Sequence, residues 1–112
     1  MSIETRLVDE VTILDVHGKI TFSEGSGELS AKVSELLTAG EKKILLNVKG
    51  VKQVDSQGIA ELLKAHISIT KQGGQIKLTG LSTRLHELLT VTKLILVFDI
   101  QENEQAALES FL

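Results

Sequence analysis

The sequence predicts an α/β fold. Residues 1–112 read as one domain, with a mixed, mostly parallel sheet of about five strands and four helices in the order β-β-α-β-α-β-α-β-α. Three observations lead there. Short runs rich in Val, Ile and Leu alternate with segments whose apolar residues recur every three or four positions, which implies βαβ units with right-handed crossovers. Those periodic segments open at Ser, Asp, Asn or Thr, and two of them end at Gly. The most apolar run, Ile44-Leu45-Leu46-Asn47-Val48, suits a central strand covered on both faces.

Taken in order, Ile3 to Leu7 alternates, with Ile3 and Leu7 on one side and Glu4 and Arg6 on the other. Asp9-Glu10 is a two-residue turn into a second strand, Val11 to His17, which Gly18 is expected to end. Lys19 to Gly27 reads as loop. Ser26 can cap the first helix, whose Leu29, Val33, Leu36 and Leu37 share a face, and Gly40 stops it. Ile44 to Lys49 is the third strand, followed by a short polar loop. In the second helix Ile59, Leu62, Leu63, His66 and Ile67 line one face, with Glu61, Lys64, Ser68 and Lys71 facing away. Gly73-Gly74 ends that helix and Gln75 to Thr79 forms the fourth strand. Ser82 or Thr83 caps a third helix carrying Leu85, Leu88 and Leu89. Val97 to Ile100 is a short last strand, and Glu102 or Asn103 opens a final helix holding Ala106, Ala107, Leu108 and Phe111.

Composition narrows the functional classes. The net charge is −3 and Lys residues are scattered among acids, which is not the basic stripe of a nucleic-acid binder. The absence of Cys removes disulfides, thiolate metal sites and a Cys nucleophile, and fits a cytoplasmic location. The first residues lack the apolar run of a signal peptide. The longest apolar run, Leu94 to Phe98, is too short to span a bilayer, so no direct membrane insertion is expected. Aromatics make up only 3% of the chain, so the core must be aliphatic.

The chemically suggestive stretch is Asp55-Ser56-Gln57-Gly58, where the third strand gives way to the second helix. Asp and Ser favour helix starts because their oxygens accept free backbone N–H groups. Ser56 should therefore present its hydroxyl at the positive end of a helix dipole. Gly58, without a Cβ, should let another molecule approach. Elsewhere the signals are thin. His17, His66 and His86 sit on different elements without the pairing of a metal site, and no metal or cofactor is expected. His66 reads as a packed histidine, and His17 and His86 as solvated. Gly25-Ser26-Gly27 lacks the rest of a phosphate-binding loop. A Ser56 nucleophile would need a nearby base, and the turn has no Gly-x-Ser-x-Gly elbow, so no catalytic residue is assigned.

The Asp55-Ser56-Gln57-Gly58 turn resembles that of the STAS family, and within it the bacterial anti-sigma-factor antagonists. The likeness extends over essentially the whole chain. It includes Gly73-Gly74 and Gly80-Leu81 around the fourth strand, and Val97-Phe98-Asp99-Ile100 followed by Glu104-Gln105-Ala106-Ala107-Leu108. Asn47 stands where many members carry Asp, and Gln57 where antagonists more often have a small residue, which bears on kinase preference. The resemblance implies a single STAS domain without catalysis of its own, working as a partner switch. Unphosphorylated, it binds an anti-sigma factor, itself a serine kinase of the histidine-kinase-like ATPase fold, and so frees a sigma factor. The kinase phosphorylates Ser56 from ATP and the antagonist is released, and a PP2C-type phosphatase resets it. The partner surface is expected around Asp55, Ser56, Gln57, Gly58, Glu61 and Lys64. The alternatives are a non-phosphorylated structural STAS subunit of a lipid-transport ABC complex and a stressosome-like scaffold subunit.

Overall fold

The computed structural model describes residues 1–25 and 27–111. β1 (Ser2–Val8) and β2 (Val11–Ile20) form an antiparallel hairpin. Its turn residues Asp9 and Glu10 have φ of 50° and 68°, the positive values that let a two-residue turn follow the strand twist. Then come α1 (Glu28–Thr38), β3 (Lys43–Val54), α2 (Ser56–Lys71), β4 (Gln75–Thr79), α3 (Thr83–Val91), a 3-10 turn at Leu94–Leu96, β5 (Asp99–Gln101) and α4 (Glu104–Ser110). The element order is the one expected, with the 3-10 turn added.

The five strands lie in the order β1-β2-β3-β4-β5, and only β1 is antiparallel to its neighbour. β3 is central, as its composition demands. Period-2 alternation divides its side chains between two cores. Ile44 and Leu46 join Leu14, Leu78 and the apolar stripes of α1, α2 and α3. Leu45 joins Val11 and Ile13 against Ala107 of α4 and Phe111 at its C-cap. Both faces of the sheet are covered, three helices on one and one on the other.

The strand boundaries needed correction. β2 does not stop at Gly18 but continues to Ile20 through irregular pairing at Asp15/His17 and at Gly18/Lys19, with Gly18 at φ 95°. Such bulges let a strand absorb an extra residue and keep its inward face. The segment read as a polar loop after Lys49 is strand as far as Val54, paired with the far end of β2, and Val51 is buried in the main core. β5 begins at Asp99 rather than Val97, because the chain is still turning through Leu94–Leu96. α2 is rotated from its expected setting: Ala65 and Ile69 are buried, and Ile67 is 52% exposed. Gly27 directly precedes α1, and the Ser26 cap lies outside the described residues.

Candidate functional site

The end of β3 and the start of α2 meet at Asp55. Its backbone is extended, at φ −108°, so it stands at the N-cap with its carboxylate turned back over the first turn. One oxygen, Oδ1, accepts the Gly58 N–H at 3.0 Å. The other, Oδ2, accepts the Phe22 N–H at 3.0 Å. These backbone donors, Phe22 first and Gly58 second, hold the Asp55 carboxyl below the ordinary carboxylate range. One side chain thus caps α2 and ties the β2–α1 connection to it.

Ser56 follows as the first helical residue and is exposed. Its hydroxyl sits where helix N–H groups point outward and negative charge is favoured. Gln57 is half-buried and Lys64, two turns on, is exposed.

Two expected surface residues turn inward. Gly58 is buried, and a Cβ there would lie 2.0 Å from the Ile20 carbonyl oxygen and 2.7 Å from Val54 Cγ1. The close approach that glycine permits is made by the protein's own β2, not by a visitor. Glu61 is 2% exposed. Its carboxylate accepts from the Gly27 N–H and from the Ser30 hydroxyl, closing the N-terminal end of α1. The expectation that Glu61 faces solvent fails because α1 packs along that side of α2 and offers the donors a buried carboxylate needs.

Beside Ser56 runs a groove of about 620 Å³ between α2 and α3. Val54, Ile59 and Leu88 give it apolar walls, Asp55 and Ser56 stand on one side, and Arg84 and Thr92 on the other. Sequence reasoning missed this groove and its Arg84. The available signal was the i, i+4, i+8 spacing of Arg84, Leu88 and Thr92, which puts the first two on one face of α3 and Thr92 at its C-cap. It also missed Phe22, which is 79% exposed and anchored to Asp55 by its backbone. An aromatic in the mostly polar Lys19–Gly27 stretch was the clue.

The histidines are not brought together. His17 Nε2 lies 3.3 Å from Glu4 Oε1 on the exposed hairpin. His66 packs edge-on against Phe98, with ring centroids 5.4 Å apart, and His86 is exposed. Among the described residues no cluster of three or more His, Asp or Glu side chains is placed to hold a metal ion. No helix among them is long and apolar enough to cross a membrane.

Solved structures share this architecture. A Thermotoga maritima protein superposes with a TM-score of 0.88 at 23% identity, covering 96% of this chain and 92% of its own. The phosphorylated form of the Bacillus cell-fate determinant SpoIIAA, an anti-sigma factor antagonist, gives 0.75 at 17% identity, with 99% and 100% covered. A sulfate transporter family protein from Wolinella succinogenes gives 0.73 at 21% identity, with 94% and 87% covered. At these identities the likeness is one of fold. A search of curated protein sequences finds no significant match. The sequence profile of the STAS domain, however, matches residues 2–107, and with the five-stranded sheet and its helices it shows that the chain belongs to the STAS domain family.

Proposed function

We propose that this chain is a cytoplasmic anti-sigma-factor antagonist controlled by phosphorylation of Ser56. The observation that carries the reading is the exposed Ser56 hydroxyl, fixed at the first position of α2 by the Asp55 cap and opening beside an apolar groove. A kinase can reach it without unfolding anything. In the transfer, Ser56 Oγ forms a bond to the γ-phosphorus of ATP, the bond from that phosphorus to the β,γ-bridging oxygen breaks, ADP leaves, and the hydroxyl proton passes to a base of the kinase. The product adds about −1.5 to −2 charges at neutral pH. The helix start tolerates that charge, but a partner surface shaped for a neutral hydroxyl meets repulsion and a desolvation cost.

The partner is then an anti-sigma factor that is a serine kinase of the histidine-kinase-like ATPase fold, with a PP2C-type phosphatase as the reset. The chain itself serves as substrate and binding module. The surface offered is Asp55, Ser56, Gln57 and Lys64 with the adjoining groove. Buried Gly58 and Glu61 support it from beneath.

The test is incubation of the purified chain with kinase-fold anti-sigma factors encoded beside its gene and with ATP, read by intact mass and site mapping. Phosphate is expected on Ser56, and none on Ser56→Ala, which should still fold and still bind the kinase. Phosphate at wild-type stoichiometry on Ser56→Ala would remove Ser56 as acceptor. No modification and no binding by any such kinase would favour a structural subunit of a transport complex or a scaffold.

A further inference from the structure

We propose that Arg84 is the intramolecular partner of phosphorylated Ser56, its guanidinium pairing with the phosphoryl oxygens across the groove and covering the groove in the modified state. This rests on the reading of Ser56 as the acceptor and adds to it a second means of release.

Four observations converge. Ser56 and Arg84 line the same groove from different helices, α2 and α3. Of the groove's lining residues only Asp55 and Arg84 carry charge, and Val54, Ile59 and Leu88 give the apolar walls around them. Asp55 does not hold the guanidinium: its carboxylate is directed to the Phe22 and Gly58 N–H groups, and no ion pair joins it to Arg84. Among the described residues Arg84 forms no ion pair, whereas the chain's other arginine, Arg6, holds both Asp15 and Glu104.

Local structure also gives Arg84 no reason to be a cation. Ser82 caps α3 by accepting the Leu85 N–H at 3.1 Å, so Arg84 falls in the first helical turn. A positive charge there opposes the helix dipole. A phosphate across the groove reverses that sign. The planar guanidinium fork matches phosphate oxygens, and it is carried on a long, flexible stem. Pairing in cis would hide the apolar groove while the hydroxyl disappears, so both features a partner could use are lost together.

The experiment places phosphoserine at position 56 during translation, by genetic code expansion. The second ionisation of the phosphate is then followed by 31P NMR in wild type, Arg84→Gln and Arg84→Lys. The helix start and Asp55 act equally in all three proteins, so differences report on position 84. In wild type the phosphate should hold its last proton about tenfold more weakly than in the Arg84→Gln variant, the low end of the effect of Arg⁺ on a neighbouring acid. The Arg84→Lys variant should keep part of the difference. Arg84 is exposed, so the variants should melt like wild type. Coincident titrations in wild type and Arg84→Gln would overturn the pairing. Because no kinase is used, that result would leave the acceptor assignment standing, and failure of the kinase assay would leave this titration unchanged.

Discussion

At Asp55 a single carboxylate stabilises two backbone segments through hydrogen bonds that need its charge. Because the donors, Phe22 N–H first and Gly58 N–H second, depress its pKa in the folded chain, the sign of its pH effect is fixed. The contribution is fully present above the unfolded carboxyl value near pH ~4 and is lost as pH falls through the lower folded value. Asn at this position keeps one acceptor oxygen and does not titrate. The melting temperatures of wild type and Asp55→Asn should therefore differ most near neutrality and converge below about pH 4. A gap that stays constant into acid would contradict this. Gly58 makes a steric demand instead. Its missing Cβ leaves room for a backbone carbonyl, which cannot swing aside as a side-chain tip can. Gly58→Ala should cost about 2–3 kcal/mol in urea unfolding, near the top of the range for overpacking. A loss of a few tenths would show that α2 can slide.

Helix caps made within a few residues of one another were legible in the sequence. Asp55, Ser82 and Asn103 each accept an N–H three residues on, a relation that residue type and spacing reveal. The setting of α2 was not. Glu61 looks like a solvated residue until α1, 31 and 34 residues away along the chain, supplies Ser30 and Gly27 as donors. The apolar stripe also misled: Ile67 outweighs Ala65 in hydrophobicity, yet Ile67 is exposed and the small Ala65 lies buried in the core that α2 shares with α1. The extra strand residues from Gly50 to Val54 were hidden for a related reason, since their pairing depends on the bulges of β2. Glu61 is accordingly a structural residue. Glu61→Ala should cost about 1–3 kcal/mol by stranding buried donors, whereas Lys64→Ala should stay within about 0.5 kcal/mol. Equal effects would return Glu61 to the surface.

Across the whole molecule, the candidate switch lies on the three-helix side of the sheet, while α4 packs on the other. Folding and partner binding therefore make separable demands on Ser56. For folding, Asp at this position suits the helix start by about 0.3–1 kcal/mol, so Ser56→Asp should melt within a few degrees of wild type. For binding, a second carboxylate beside Asp55 must approach a site that handles ATP phosphates. Titration calorimetry should show weaker kinase binding for Ser56→Asp, and a larger loss for the true phosphoprotein, which carries more charge. Unchanged affinity in both would argue for a structural subunit.

The contact between Gly58 and the Ile20 carbonyl has a consequence for time. With β2 pressed against the first turn of α2, the helix cannot shift toward β2 at this point without displacing backbone. Lid and domain motions take microseconds to seconds in proteins that signal by moving, and the proposed switch, which works by charge at Ser56, asks for no such motion of α2. Its forward speed is that of one phosphoryl transfer and one dissociation. Its memory lasts as long as the phosphoester does, so the duration of the signal is written by the phosphatase and not by the fold.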